Sequence, residues 1–290
     1  MIEESTSLLI SGIINGLCLA GIYILIALGL TLILSIMNIL QFAHGEVYMI
    51  GAYIVYFLMV RTGMNAVLAI LASMVLTGVL GLILERLIFR HLLNRFIFVI
   101  CVATGLMLIL QTSAVLLFGL DTKKIPSFVP GTLSFLGTHV PLDRIAAVAA
   151  GIILTGLVFL FLKRSKYGLA IVATAQHREG AILQGINPYL MYAIVMGIGS
   201  ALAAAAGSFT GSIFILDPYM GSVALMKGVA IIVIGGMGSI TGIIIGGIIL
   251  GISDSIIAVY FGSGAATIVP LLLVILILVI KPEGLFGDHA

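Results

Sequence analysis

Charge is what this sequence has least of. Only 8% of its 290 residues are Asp, Glu, Lys or Arg, against 62% that are hydrophobic, and the mean hydropathy is +1.34. So little polar surface cannot cover a water-soluble globule of this size, which leaves an integral membrane protein. Cysteine is scarce too: Cys18 and Cys101 both lie inside apolar segments, which argues against a disulfide framework or a Cys-based metal site and leaves two small hydrophobes. The net charge of +2 gives no electrostatic footprint for nucleic acid. Catalytic and nucleotide motifs are also missing. There is no GxxxxGK[ST], and GGMGSITG lacks the lysine a P-loop needs. His44 and Glu46 read HGE, not HExxH, and at two residues apart they cannot share a helix face as zinc ligands would. The five histidines are scattered and suggest no Ser-His-Asp arrangement. Neither an enzymatic role, nor a catalytic residue, nor a metal or cofactor is expected of this chain.

What is present is a succession of apolar segments, near 8–30, 46–60, 66–84, 97–119, 145–162, 189–212, 223–236, 240–260 and 265–280. A helix needs about 20 such residues to cross roughly 30 Å of hydrocarbon. The expected fold is all-α: one polytopic helical bundle over 1–290 with eight or nine spans, some broken or re-entrant. Two segments suggest the breaks. The stretch 29–60 is too long for one straight helix and is interrupted by NILQFAHGEVYMIG, and 223–236 is short and ends in GGMGSITGIIIGG. Glu3 and Glu4 stand where a signal peptide would carry Lys or Arg, so the amino-terminal run reads as a first span.

Cytoplasmic loops retain the excess of Lys and Arg. Arg86, Arg90 and Arg95 mark one such loop, and Lys163, Arg164, Lys166 and Arg178 another. The connection 120–144 between them then faces outward; Lys281 falls inside, and the amino terminus falls outside if there are nine spans. The connection 163–188 has no run long enough to cross a membrane, yet Leu169, Val172, Ala173, Gln176 and Gly180 follow helical spacing. It reads as a short helix outside the bilayer, stopped at Gly185, with Asn187 and Pro188 starting the next span. It serves either as a plain connector or as a docking element for a cytoplasmic partner.

Few ionisable groups lie at membrane depth. Glu46 and Asp254 are the main acidic ones, with Glu85 expected in a loop beside Arg86 and Lys227 at an entrance or reaching the headgroups. Asp254 follows Gly247 and Gly251 at helical spacing and should point into the bundle, since a carboxylate facing lipid is costly. Repeated small residues, among them Gly238, Gly242 and Gly246, let helices approach closely. Irregular backbone at membrane depth is tolerated where it is buried or lines a cavity, and paired breaks point to a transport path. Candidate path residues are therefore Asn38, Gln41, His44, Glu46, Gly235, Gly236, Gly238 and Asp254. Gly45 gives the backbone room to turn between His44 and Glu46 at this break. Alternatively, His44 and Glu46 satisfy each other and nearby backbone groups at a cytoplasmic helix start, with Glu46 stabilised by the helix dipole.

GLTLILSIMNILQFAHGEVYMIGAY, ERLIFR, KYGLAIVATAQHREGAILQGINPYLMYAIVMGIGSALAAAAG, LMKGVAIIVIGGMGSITGIIIGGIILGISD and the terminal KPEGLFG together resemble, in order and spacing, the LivH-type permease subunits of branched-chain amino acid ABC importers. That resemblance covers nearly the whole chain. It implies a permease of the bacterial cytoplasmic (inner) membrane that pairs with a second related permease subunit. It also implies two cytoplasmic ATPase subunits, which use the ATP, and an extracytoplasmic substrate-binding protein. On the same resemblance the 163–188 connection is the coupling loop, with Ala175, Gln176, His177, Arg178, Glu179 and Gly185 matching its motif. His177 stands where many relatives are acidic and Thr241 where a proline is usual, which makes the glycine-rich break less rigid. A self-sufficient secondary carrier or channel, with Glu46 or Asp254 binding a coupling proton or sodium ion, is the other reading that the membrane carboxylates allow.

Overall fold

The computed structural model describes residues 2–93, 95–135 and 138–287; Asn94, Leu136 and Gly137, which belong to the connections discussed above, and both extreme ends lie outside the described residues. Helix α1 (Ile2–Met37) is followed by six irregular residues and then α2 (His44–Thr62). Helix α3 (Ala66–Leu84) continues through one π turn, Glu85–Phe89, into α4 (Arg90–Leu92), and α5 (Phe96–Phe118) follows. The connection expected to face outward carries an antiparallel pair, β1 (Thr132–Phe135) and β2 (Thr138–Pro141), with Leu133 opposite Val140. The second half comprises α6 (Leu142–Arg164), α7 (Lys166–Gln176), α8 (Arg178–Leu183), α9 (Pro188–Ile213), α10 (Met220–Gly235), α11 (Ile240–Phe261), α12 (Ser263–Ala266) and α13 (Val269–Ile280). Apart from that hairpin and one bridge between Lys123 and Leu216, the regular structure among the described residues is helical.

Six helical stretches are long and apolar enough to cross a membrane: Leu8–Met37, Ala66–Leu92, Phe96–Phe118, Leu142–Arg164, Pro188–Ile213 and Ile240–Phe261. This is a polytopic membrane protein. Helix α2 is not among the six, because His44, Glu46 and Arg61 dilute its hydrophobicity. It can afford His44 and Glu46 because its first half sits inside the bundle, packed among α3, α5, α9 and α10, while Arg61 is exposed at its far end. The outer helices show the opposite pattern: Val75 of α3, Ile109 of α5, Ile152 of α6 and Val279 of α13 are all turned outward and exposed. Apolar side chains therefore face outward toward the surroundings while polar ones are held within, as a lipid solvent requires.

The two halves are built alike. Helix α1 packs along α11 as α3 packs along α9, and α2 meets α10 between them. In each half a long helix (α1, α9) is followed by six irregular residues, 38–43 or 214–219, and then a buried helix (α2, α10).

Glu85 is not a loop residue. It lies in the π turn with no exposure, and its carboxylate is held by Arg90, with Nε to Oε1 at 3.1 Å and Nη2 to Oε2 at 2.9 Å. The wider turn places residues five apart over one another, so the side chains five positions apart form the pair that Arg86, the adjacent residue, does not.

Candidate translocation site

Helix α1 ends where Asn38 takes a left-handed backbone, φ 52°, the only described non-glycine residue with positive φ. Asparagine tolerates that region because its short polar side chain can bond locally. The chain then runs back alongside α1, so that the His44 ring packs over Gly29, eight residues before the end of α1, a retreat of about 12 Å at 1.5 Å per residue. The turn is thus made at Asn38 and not at Gly45. Gly45 lies in the first turn of α2, where an added Cβ would stand 2.2 Å from the Gly221 carbonyl oxygen. Gly221 is in the first turn of α10, so two helix amino termini meet back to back in the interior. On the α10 side, the Asp217 carboxylate accepts from the Tyr219 N–H at 2.7 Å.

Three polar side chains surround this junction. Gln41 and His44 are fully buried and Glu46 nearly so. The Gln41 amide oxygen and nitrogen and Oε2 of Glu46 find no hydrogen-bond partner among the described residues, and the His44 ring has only the Ile26 backbone beside it. His44 and Glu46 do not satisfy each other: the ring faces Gly29 of α1, and the carboxyl carbon of Glu46 sits 3.1 Å from where a Gly221 Cβ would be. Two residues along a helix are about 200° apart around its axis, which sends them to different neighbours.

A second polar group occupies a cavity of about 360 Å³ lined by side chains from both halves. Asp254 of α11, 3% exposed, is paired through Oδ2 with the Lys227 ammonium of α10. Tyr23 of α1 donates its hydroxyl to the same oxygen at 2.6 Å and accepts from Lys227 Nζ at 2.7 Å. Asp254 does point into the bundle, as its spacing implies. Lys227 does not reach the headgroups: only 13% of its side chain is exposed, and it lies over the Tyr23 ring at 4.8 Å. Asp217 and Tyr48 line the same cavity.

The glycine-rich break is a tight turn between α10 and α11. Gly236 and Gly238 have φ of 96° and 86°, Gly235 and Gly242 touch backbone to backbone, and Ser239 caps α11 through the Gly242 N–H at 3.1 Å. The terminal segment hooks onto it: Leu285 and Phe286 donate their N–H groups to the carbonyls of Ile234 and Gly235 at 2.9 and 3.0 Å. These carbonyls belong to the last turn of α10, which has no helical partner for them. Gly238 and Asn38 line a cavity of about 620 Å³ together with Ala175 and Gln176. The structure therefore brings Asn38 and Gly238 to the end of α7 and leaves Gln41, His44 and Glu46 at the interior junction.

The 163–188 connection forms two helices instead of one. His177 ends α7 and starts α8, its Nδ1 accepting from the Gly180 N–H at 2.8 Å. An imidazole at this position acts as a helix cap in the manner of Asp or Asn. Ala175, Gln176, His177 and Glu179 are exposed and Arg178 half-buried, and Leu183 stands 86% exposed beyond them. Gly185 has φ 80°, and the Asn187 side chain caps α9 at the Tyr189 N–H, 3.0 Å, as expected.

Comparison with known proteins bears directly on this arrangement. Residues 12–280 match the family model described as branched-chain amino acid transport system / permease component. The chain belongs to this permease family. It is 34% identical to the high-affinity branched-chain amino acid transport system permease protein BraD of Pseudomonas aeruginosa, over 95% of this chain and 94% of that protein. LivH of Escherichia coli K12, which carries the same description, is 32% identical over 94% of both. Among solved structures, a chain of PsaBC from Streptococcus pneumoniae in complex with Fab superposes with a TM-score of 0.52, covering 93% of this chain and 91% of that one. At 13% identity it speaks for the fold alone.

For this permease-family chain, reading the sequence missed Tyr23, Asp217 and the placement of Lys227. The signals were present. A lysine within an apolar run calls for a named counter-charge, and DPYMG at 217–221 carries the Asp, Pro and Gly that punctuate a broken helix. The partner of the first break is accordingly 214–219, and GGMGSITG is the turn after it.

Proposed function

We propose that this chain is a non-catalytic membrane-spanning subunit of an ATP-driven importer, passing branched-chain amino acids that a separate binding protein delivers. The observation that carries this reading is the family match over residues 12–280. Two structural features support it: an interior junction of broken helices where polar atoms of Gln41 and Glu46 have no hydrogen-bond partner among the described residues, and an exposed two-helix element suited to receive a cytoplasmic partner. The chain forms one permease domain over 1–290, with 163–188 as its coupling loop and 120–144 as its external loop. It pairs with a second related permease, two ATPase subunits supply the ATP chemistry, and the chain holds no cofactor of its own. Its place is the bacterial cytoplasmic membrane.

We count nine passes: the six long apolar stretches together with α2, α10 and α13, of which α2 and α10 begin at the interior junction. Nine passes put the amino terminus outside and Lys281 inside, in keeping with the Lys and Arg distribution. Gln41, His44 and Glu46 border the path, and Asp254 stands farther along it.

Coupling energy decides the test. Proteoliposomes holding the full importer and loaded with ATP should take up labelled leucine when the binding protein is added, and an uncoupler should leave that uptake unchanged. Uptake that needs no ATP and collapses with the uncoupler would instead identify a secondary carrier.

A further inference from the structure

The cavity around Lys227 is chemically unlike the rest of the interior. A chain with 8% charged residues places two opposite charges here, 27 positions apart on α10 and α11, and adds a tyrosine from α1. A buried ion pair of this kind is poor structural glue. Desolvation can exceed the Coulombic return, and apolar residues of the same shape often serve stability as well or better.

The pair is also incompletely used. Lys227 has three N–H donors, directed in this structure at Tyr23 Oη and Asp254 Oδ2. Both of those bonds and the Tyr23 hydroxyl converge on one side, while Oδ1 of Asp254 is buried and has no hydrogen-bond partner among the described residues. The cavity thus offers an ammonium with spare donor capacity beside a carboxylate whose enclosed Oδ1 stays unsatisfied while the pair is closed. Among the described lining residues Lys227 is the only basic side chain, and Asp217 adds a second carboxylate. Ile22, Ile26, Met220 and Val223 supply an apolar wall, and the volume of about 360 Å³ falls in the range of small-molecule sites, roughly 300–1,000 Å³.

We propose that Lys227, Asp254 and Tyr23 form a transit station for the zwitterionic head of an α-amino acid, with the apolar wall receiving its side chain. The proposal rests on the importer reading above. The substrate carboxylate bonds Lys227 and, as the ion pair opens, the substrate ammonium bonds the uncovered Asp254 carboxylate, with Tyr23 holding that carboxylate in place. A zwitterion inserts between the two charges and leaves each of them paired; a ligand with net charge strands one of them, and an uncharged amide or sugar pairs neither. When the substrate leaves, the pair closes on itself. That self-pairing competes with the ligand and keeps the station weak, which suits a site that must release what it receives.

Because removing Lys227 alone would strand Asp254, the informative variant is the double Lys227→Met, Asp254→Leu, which keeps the volume and removes both charges. In reconstituted complexes with binding protein and ATP, we expect the double variant to melt within a few degrees of the parent chain while initial leucine uptake falls about tenfold or more, as loss of charge-assisted bonds predicts. Asp254→Asn, which keeps the shape and the Lys227 contact, should also lower uptake. Uptake by the double variant equal to the parent would overturn the station, as would a loss of uptake in the double variant that follows its loss of fold while Asp254→Asn transports normally. Failure of the parent chain itself to take up leucine with ATP would overturn the importer reading instead, so the two failures are distinguishable.

Discussion

Gly45 and Gly221 carry one of the close backbone approaches in the interior, and a single carbon tests it. An added Cβ would lie 2.2 Å from Gly221 O in one case and 2.5 Å from Gly45 O in the other, both backbone atoms with little room to yield. Gly45→Ala and Gly221→Ala should each destabilise the chain by roughly 1–3 kcal/mol or more, the usual range for overpacking. Gly105→Ala and Gly156→Ala, where nothing lies within 4 Å of the new carbon, should be neutral or stabilising by up to about 1 kcal/mol, since alanine is the better helix former. Thermal midpoints in detergent compare the four, and equal shifts would refute the distinction. This difference was not legible beforehand: sequence spacing marks where bare backbone could be approached, but only tertiary packing selects which glycines are. The polar cluster was legible as a cluster, because Gln41, His44 and Glu46 stand out in an apolar run. What each touches was not, since Lys227 meets a tyrosine 204 positions away.

Elements were more readable than contacts. The interruption after α1, the turn at Gly236, the stop at Gly185 and the Asn187 cap each follow from local backbone chemistry that a few residues determine, although the first turn is made at Asn38 and not at Gly45. The division of 163–188 into α7 and α8 was missed because histidine is not among the usual capping residues, although its ring nitrogen accepts the Gly180 N–H much as an Asp oxygen would. That division has a mechanical consequence. Two short helices meeting at an exposed corner present Gln176, His177 and Glu179 together, with Arg178 half-buried and lining a cavity with Tyr192 of α9; in the coupling role proposed above, a push on that corner would reach α9. Replacing Arg178 or Glu179 by alanine should therefore lower substrate-stimulated ATP hydrolysis in the assembled importer and leave the affinity of the binding protein for leucine unchanged. Hydrolysis at the parent rate in both variants would remove these residues from coupling.

For the molecule as a whole, the polarity distribution sets the topology. Composition alone was enough for the class, but the number of passes depends on α2, whose His44, Glu46 and Arg61 lower its hydrophobicity, and on α10, which is apolar but only 16 residues long because it begins inside the protein. Nine passes make a specific prediction about three distant positions. Leu8 at the amino-terminal end of the first apolar stretch, Leu133 in the hairpin and Leu183 at the end of α8 are all exposed, 46%, 50% and 86% respectively. In a chain with the exposed Cys101 replaced by alanine and Cys18 left buried, single cysteines at these positions can be probed in right-side-out membranes with an impermeant maleimide. Leu8→Cys and Leu133→Cys should label directly, and Leu183→Cys only after the membranes are inverted. Labelling of Leu8→Cys from the cytoplasmic face alone would place the amino terminus inside and reduce the count to eight. Helix α2 would then fail to complete a crossing with its neighbouring irregular segment, since α10 lies beyond Leu183 and cannot change the side of Leu8, and the matching arrangement of the two halves would hold in packing but not in topology.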